Sequence, residues 1–136
     1  MPGYLLDTMV VSEAISRHPS QSVLDWLSRT RATGLYVSVL TFAEIHYGIE
    51  RMRPADAVRK RRLSEWAQYT EDHWRDATLP VDLPVARLAG RYFRDLPDDP
   101  IDALIAATAT INGLTVATRN VRHFRLFGVP VVDPYI

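Results

Sequence analysis

The stretch DPIDALIAATATINGLTVATRN, residues 99–120, predicts one α-helix that leads directly into one buried β-strand. Asp99 suits the N-cap of this helix, because its carboxylate can accept a hydrogen bond from an unpaired amide of the first turn, and Pro100 fits the first helical position. The apolar residues that follow recur at helical spacing, and the alanines between them allow close packing against a sheet. Gly113 can take the left-handed conformation that ends a helix, and residues 114–118 form an apolar run typical of a parallel strand.

The same alternation of strand and helix extends over the rest of the chain. Short apolar or β-branched runs at residues 4–6, 35–40, 78–81 and 129–132 indicate further strands, and helical patterns separate them. We therefore expect an α/β protein: a three-layer α/β/α sandwich with a central parallel sheet of four to five short strands and right-handed crossovers. Residues 1–136 contain no linker, repeat or low-complexity tract, which predicts a single domain.

Local signals predict where several helices begin. A helix that contains Ala14 and Ile15 is expected after the first strand. Thr41 and Glu44 have the spacing of a capping box, in which Glu44 reaches back to the amide of the cap, so the third helix is predicted to begin at Thr41. Asp82 is predicted to cap the helix that precedes residue 99.

The composition excludes several kinds of active site. The 136 residues include no cysteine, which removes thiol catalysis, disulfides and thiolate zinc sites, and the four histidines lack the spacing of a HExxH zinc site. The 16 basic and 16 acidic residues balance, so any contact with nucleic acid must depend on local charge. No apolar run approaches the ~18 residues of a membrane span and no signal peptide is evident, so we expect no membrane association and a cytoplasmic location.

Three acidic residues occupy equivalent places beside predicted strands. Asp7 directly follows the first strand, Glu44 lies in the first turn after the second, and Asp102 lies in the first turn of the helix before a third. Each has a structural alternative, since Asp7 can cap a helix, Glu44 can complete the capping box and Asp102 can favour the helix dipole. Together, however, three carboxylates at one edge of a sheet suit a hard cation such as Mg²⁺ or Mn²⁺, and such a site suits metal-assisted phosphodiester hydrolysis.

Four segments carry a resemblance to a known family. The chain resembles PIN-domain ribonucleases, specifically the VapC-type toxins of VapBC toxin–antitoxin pairs. The segments that match the signature blocks of this family, in order, are LLDTMVVSE, TFAEIHYG, DALIAATA and LTVATRN. The resemblance implies a PIN-like fold and an endoribonuclease that depends on Mg²⁺ or Mn²⁺. It assigns metal coordination to Asp7, Glu44 and Asp102, and a supporting role in the site to Thr118 and Asn120. It also implies a homodimer that is inhibited by a small, VapB-like antitoxin.

The sequence departs from that family at two places. Met9 stands where the family commonly has Asn, and Asn120 and His123 stand where it often has a fourth acid. These departures leave open how many metal ions bind, and whether Asn120 or His123 replaces the fourth acid. They also motivate an alternative function: a catalytically weak PIN-like domain that acts mainly by binding RNA or its antitoxin.

Other polar and aromatic residues have two interpretations each. Arg119 and Arg122 could bind phosphates of RNA beside the acids, or could simply be solvated surface residues. The basic run at residues 59–62 is typical of a solvated helix face. Large aromatic residues are more numerous than one small core requires, so we expect Trp26, Tyr47 and Trp66 at dimer or antitoxin interfaces, with the core as the alternative. A phospho-receiver domain is disfavoured, because its paired N-terminal acids are missing and the only lysine, Lys60, lies in that basic run.

Overall fold

Strands and helices alternate along the chain in the computed structural model, which describes residues 3–13 and 16–136. Ala14 and Ile15, which the sequence pattern places in the first helix, lie outside the described residues. The strands are β1 Tyr4–Leu6, β2 Leu35–Ser38, β3 Thr78–Leu79, β4 Thr115–Ala117 and β5 Val131–Val132. The helices are α1 Thr8–Ser12, α2 Gln21–Thr30, α3 Val39–Glu50, α4 Ala57–Trp74, α5 Leu83–Asp95, α6 Pro100–Ile111 and α7 Val121–Arg125.

The five strands form one parallel sheet in the order β3-β2-β1-β4-β5. The first strand is therefore central, with β2 on one side and β4 on the other. β3 lies at an edge, as Pro80 predicts, because proline cannot donate a hydrogen bond to a further strand. The expected α/β/α sandwich with a parallel sheet is confirmed.

Successive residues of the central strand point to opposite faces of the sheet. Leu5 packs in a core cluster with Ile105 and Phe124, whereas Leu6 packs in a second cluster with Val23 and the α1 valines. Since both faces of the strand are buried, its sequence is continuously apolar rather than alternating. Helices therefore cover both sides of the sheet, and only its edges remain for polar side chains.

The helix α6 packs closely because one of its faces is built from small residues. Ala103, Ala106, Ala107 and Ala109 are fully buried, in contact with the sheet on one side and with α5 on the other. The helix ends at Ile111, and Gly113 follows the cap residue Asn112 with a φ of 66°, in the left-handed region that glycine adopts without strain. The helix-to-strand unit predicted from residues 99–120 is thus present.

Helix α3 begins earlier than the sequence pattern predicts. Ser38 is its N-cap residue, and the Ser38 hydroxyl accepts a hydrogen bond from the backbone amide of Leu40 at 3.0 Å. The strand predicted over residues 35–40 is therefore too long, because it ends at Ser38. The predicted capping box of Thr41 and Glu44 is wrong, because both residues lie inside the helix. The Glu44 side chain can therefore contact another element.

The aromatic residues assigned to interfaces are found in different environments. Trp26 is 7% exposed and packs edge-on against Tyr4, with ring centroids 4.9 Å apart, so its assignment to an interface is wrong. Tyr47 is 67% exposed, whereas Trp66 is half-buried between α3 and α4. Among the residues that the structure describes, no helix combines the length and the apolar character needed to cross a membrane.

Replacing Trp26 by Ala should lower the free energy of unfolding by about 3–5 kcal/mol, because the cavity left by a buried aromatic side chain closes only in part. Denaturant unfolding followed by circular dichroism measures this loss. Tyr47→Ala is the control, and its exposed side chain should change the free energy by less than about 0.5 kcal/mol. Similar losses for the two variants would contradict the burial of Trp26.

Candidate active site

The register of the sheet brings Asp7 and Thr118 together at the carboxyl edge. Leu6 is aligned with Ala117, so the residues that follow them are neighbours. The Thr118 hydroxyl donates a hydrogen bond to Asp7 Oδ2 at 2.8 Å, and the backbone amide of Thr8 donates to Asp7 Oδ1 at 2.8 Å. Burial raises the pKa of the Asp7 carboxyl, although both hydrogen bonds oppose the shift. Asp7 therefore caps α1 and is also fixed at the edge where parallel sheets bind ligands.

Glu44 is held in place by a side chain from α1. The Thr8 hydroxyl donates a hydrogen bond to Glu44 Oε1 at 2.5 Å. The hydroxyl oxygens of Thr8 and Thr41 lie 3.1 Å apart, so this contact joins α1 to α3 at the same point. Two buried or half-buried threonines thus orient the carboxylate of Glu44 next to the residue that follows Asp7.

Asp102 lies in the first turn of α6, as predicted, and its charge is influenced by the other acids. Burial, followed by the negative charge of Asp7, raises the pKa of its carboxyl to about 6. Glu44 and Asp99 contribute in the same direction, and His123 opposes them. Because these electrostatic effects require proximity, the carboxylates of Asp7, Glu44 and Asp99 lie near that of Asp102, and we call this group of acids the rim.

Asp99 also belongs to this rim, although its sequence position predicted only a helix cap. It is the N-cap residue of α6, but its side chain accepts no hydrogen bond from the helix, so the predicted capping bond is wrong. Asp99 Oδ2 lies 3.4 Å from His123 Nε2, and Asp102 Oδ2 lies 3.3 Å from the same nitrogen. Asp99 is separated from His123 by a helix, a strand and a turn, so no local sequence signal could have indicated this contact.

His123 contacts both carboxylates without a well-directed hydrogen bond. Its Nε2 atom is buried, and in the described part of the chain it has no partner at acceptable angles. The contacts of His123 with Asp99 and Asp102 are therefore electrostatic. One ligand atom from each of these three residues lies within 4.8 Å of the others, which is a spacing that a metal ion can bridge.

The remaining predicted residues lie after β4. The backbone amide of Asn120 donates to Thr118 Oγ1 at 2.9 Å, so Asn120 stabilises the turn that carries Thr118, whereas its side chain is exposed. Arg119 and Arg122 are also exposed. The guanidinium of Arg119 lies over the ring of Tyr135, 4.9 Å from its centroid. The structure thus joins Thr118 to the acids and leaves the two arginines on the adjacent surface.

Tyr135 connects this surface to α1, a contact that sequence analysis missed. Its hydroxyl donates to Glu13 Oε2 at 2.9 Å, and burial together with this hydrogen bond raises the pKa of the phenol. The two residues are separated by 122 positions, so no local pattern indicates their contact. Met9, where the resemblance leads us to expect Asn, has an exposed side chain on the same helix.

The donor set suits a hard divalent cation. Within the described residues, the ligand atoms that lie close enough together for one metal ion belong to Asp99, Asp102 and His123, whereas Asp7 and Glu44 influence Asp102 electrostatically without belonging to that group. A divalent cation would supply the missing positive charge. In the described residues the only cationic group close to these acids is His123, when it is protonated.

Comparisons with known proteins identify the family and the fold that this chain resembles. The family described as PIN domain matches residues 4–128. The chain is 31% identical to the VapC ribonuclease Y4jK of Sinorhizobium fredii, over 96% of each chain, and 33% identical to the toxin FitB of Neisseria gonorrhoeae, over 96% of this chain and 97% of that one. Among solved structures, FitAcB from Neisseria gonorrhoeae is similar with a TM-score of 0.82 at 32% identity, covering 97% of this chain and 98% of that chain.

The pKa of Asp102 predicts how stability depends on pH when no metal is present. Since the folded pKa of about 6 exceeds the ordinary 3.8, the ionised carboxylate destabilises the fold above about pH 6, and this penalty disappears below the ordinary value. Lowering the pH from 7.5 to 5 should therefore stabilise the parent relative to Asp102→Asn, by on the order of 1 kcal/mol after allowance for solvent screening.

Thermal unfolding in EDTA at the two pH values measures this difference. Asp98→Asn is the control, because it removes an exposed carboxylate from the same loop and should follow the parent. If the melting temperature of Asp102→Asn shifts with pH as much as that of the parent, Asp102 does not have a raised pKa in the folded protein.

Proposed function

Because the chain belongs to the PIN-domain family, we propose that it is the toxin of a VapBC-type toxin–antitoxin pair and acts as an endoribonuclease that depends on Mg²⁺ or Mn²⁺. The observation that supports this proposal is that Thr118 and Thr8 hold Asp7 and Glu44 at the carboxyl edge of the sheet, where both acids influence the charge of Asp102. The names of the relatives, a VapC ribonuclease and a toxin, support the same activity.

Asp7, Glu44 and Asp102 are the residues that would hold the cation. When bound, such a cation polarises a phosphate oxygen and lowers the pKa of water, which supplies a nucleophile at neutral pH. This chemistry hydrolyses a phosphodiester without a covalent enzyme intermediate, which agrees with the lack of cysteine.

The chain's own contribution is to fix its carboxylates before the substrate arrives. Asp7 is held by Thr118 and by the backbone of Thr8, and Glu44 is held by the hydroxyl of Thr8. Thr8 therefore orients two of the three acids at once, through its amide and its hydroxyl. Side chains held in this way need little rearrangement when charge develops on the phosphate, which favours catalysis.

The proposed partners are RNA as substrate, a small VapB-like antitoxin as inhibitor and a second copy of the chain in a homodimer. The toxin name of the relative from Neisseria gonorrhoeae supports the antitoxin, because a toxin of this type requires an inhibitor. An arginine of the antitoxin would inhibit most directly beside Asp102, where the negative charges of Asp7, Glu44 and Asp99 also act.

The contact of His123 with Asp99 and Asp102 favours a second candidate function. A protonated His123 neutralises part of the negative charge and so competes with a cation for the same carboxylates. The chain could then be a catalytically weak domain that mainly binds RNA or its antitoxin. Incubation of RNA with and without Mn²⁺ separates the two functions, because a protein that only binds leaves the RNA intact in both samples.

Asp102→Asn should retain the fold and lose at least about 100-fold in the rate of RNA cleavage, because the substitution removes a charge that the cation needs. Cleavage of a fluorescent RNA measures the rate, and Mn²⁺-induced thermal stabilisation gives an independent reading. Asp98→Asn is the matched control and should match the parent in both. If folded Asp102→Asn cuts RNA at the parental rate, the proposed function is wrong.

Arg119→Ala should weaken binding to RNA of every sequence and lower the salt slope of the binding constant by about 0.7, the value for one contact with a single-stranded phosphate. The ring of Tyr135 holds the Arg119 guanidinium on the surface beside Thr118, where it can meet a phosphate. Arg122→Ala should act similarly. Arg125→Ala, at the far end of α7, is the control. An unchanged slope for Arg119→Ala would refute its phosphate contact.

A further inference from the structure

A groove leads away from the carboxylates between α1, α3 and α4. Its volume is about 550 Å³, and one end is lined by Thr8 and Glu44. Arg59 and Trp66 of α4 line it further along, together with apolar residues of α3. The groove therefore opens directly onto the rim that holds the acids.

A second depression of about 580 Å³ continues the groove. It is lined by Ser16, Arg17, Arg59, Arg62, Leu63 and Trp66. Arg59, Leu63 and Trp66 line both depressions, so the two form one continuous feature, which we call the arginine groove. Arg59, Arg62 and Trp66 follow one another at intervals of three and four on α4, which places them on one face of the helix.

The arginine groove is positively charged although the whole chain carries no net charge. Within the described residues, Arg17, Arg59 and Arg62 take part in no ion pair. Two acids line the arginine groove, Asp56 and Glu44. Asp56 lies 3.7 Å from Arg53, which neutralises its charge, and Glu44 lies at the rim. The unpaired positive charge therefore lies along the part of the groove away from the carboxylates.

We propose that the arginine groove binds a single-stranded RNA and guides it to the carboxylates, with phosphates on Arg17, Arg59 and Arg62 and an unpaired base stacked on Trp66. This inference rests on the proposed nuclease function and adds the path of its substrate. Arginines beside a half-buried aromatic ring are the combination that single-stranded nucleic acids require, since the charge tracks the backbone and the ring accepts a base of any kind.

The direction of the groove favours RNA over a protein segment. An acidic peptide that paired with these arginines would continue toward Glu44 and be repelled there. An RNA strand on the same path places a phosphodiester at the carboxylates, where a bound cation offsets the repulsion. The arginines and the acids then serve successive parts of one strand.

Gly48 offers a way to test the groove without removing charge. It lies on α3 in the lining, and a Cβ atom added there would meet no heavy atom within 4 Å. Gly48→Leu should therefore fold, and its side chain should occupy space in the groove. Gly90→Leu is the matched control, because Gly90 is the corresponding helical glycine of α5, equally open and outside the groove.

The experiment measures fluorescence anisotropy of a fluorescein-labelled single-stranded RNA of about 12 nucleotides, in EDTA so that no cleavage occurs. The double variant Arg59→Ala/Arg62→Ala should bind at least about tenfold more weakly at low salt, with a salt slope lower by about 1.4. Gly48→Leu should also bind more weakly. The control Arg61→Ala/Arg91→Ala removes two exposed arginines outside the groove. This variant and Gly90→Leu should both bind the RNA as tightly as the parent does.

Trp66 is tested by its own fluorescence. RNA should quench the tryptophan emission of the parent, and Trp66→Phe, which keeps most of the packing against Ile45 and Ile49, should lose that quenching. A duplex of the same sequence should quench less, because its bases are not available for stacking.

Three results would overturn the proposal. These are a parent that binds no RNA in EDTA, groove variants that bind RNA as the parent does, and groove variants that lose affinity only for the antitoxin. Because binding is measured without cleavage, the RNA path along the arginine groove and the proposed nuclease function can be refuted independently of each other. A protein that never cuts RNA but needs the arginine groove to bind it would refute the nuclease function alone.

Discussion

The buried hydrogen bond from the Thr118 hydroxyl to Asp7 Oδ2 determines the arrangement of the acidic rim. It joins two residues 111 positions apart and exists because β1 and β4 are paired in a fixed parallel register. A slip of one residue would reverse every side chain of β1 between the two faces of the sheet, exchanging Leu5 with Leu6 in the core. The packing of the core therefore fixes the position of a carboxylate that the core itself does not contain.

The rim concentrates like charges at a cost in stability. Asp7 is buried and Asp102 has a raised pKa, so both carboxylates would be more stable in water than in the folded protein. The alanines of α6 and the two apolar faces of the central strand compensate for this cost by close packing. Such a balance between charge repulsion and packing is common where function requires charge.

Sequence reasoning located the rim because its signals are local. Asp7 follows a strand and Asp102 begins a helix, and parallel strands present their carboxyl ends at one edge. The orientation of Glu44 was not predictable, because Thr8, which holds it, is 36 positions away and the true cap of α3 is Ser38. Asp99 was misassigned for a related reason, since an acid before a helix looks like a cap whichever way its side chain turns. Trp26 was misassigned because composition cannot tell a buried ring from an exposed one.

The shortness of the outer strands limits how this protein can associate with others. β3 and β5 form the two edges of the sheet and contain two residues each, so they expose very few free backbone donors and acceptors. Another chain cannot extend the sheet on so small a template, which protects the protein from pairing edge to edge into larger aggregates. Any lasting contact with a second polypeptide must then form through side chains on the helical layers, where a change in sequence can alter the choice of partner without disturbing the sheet.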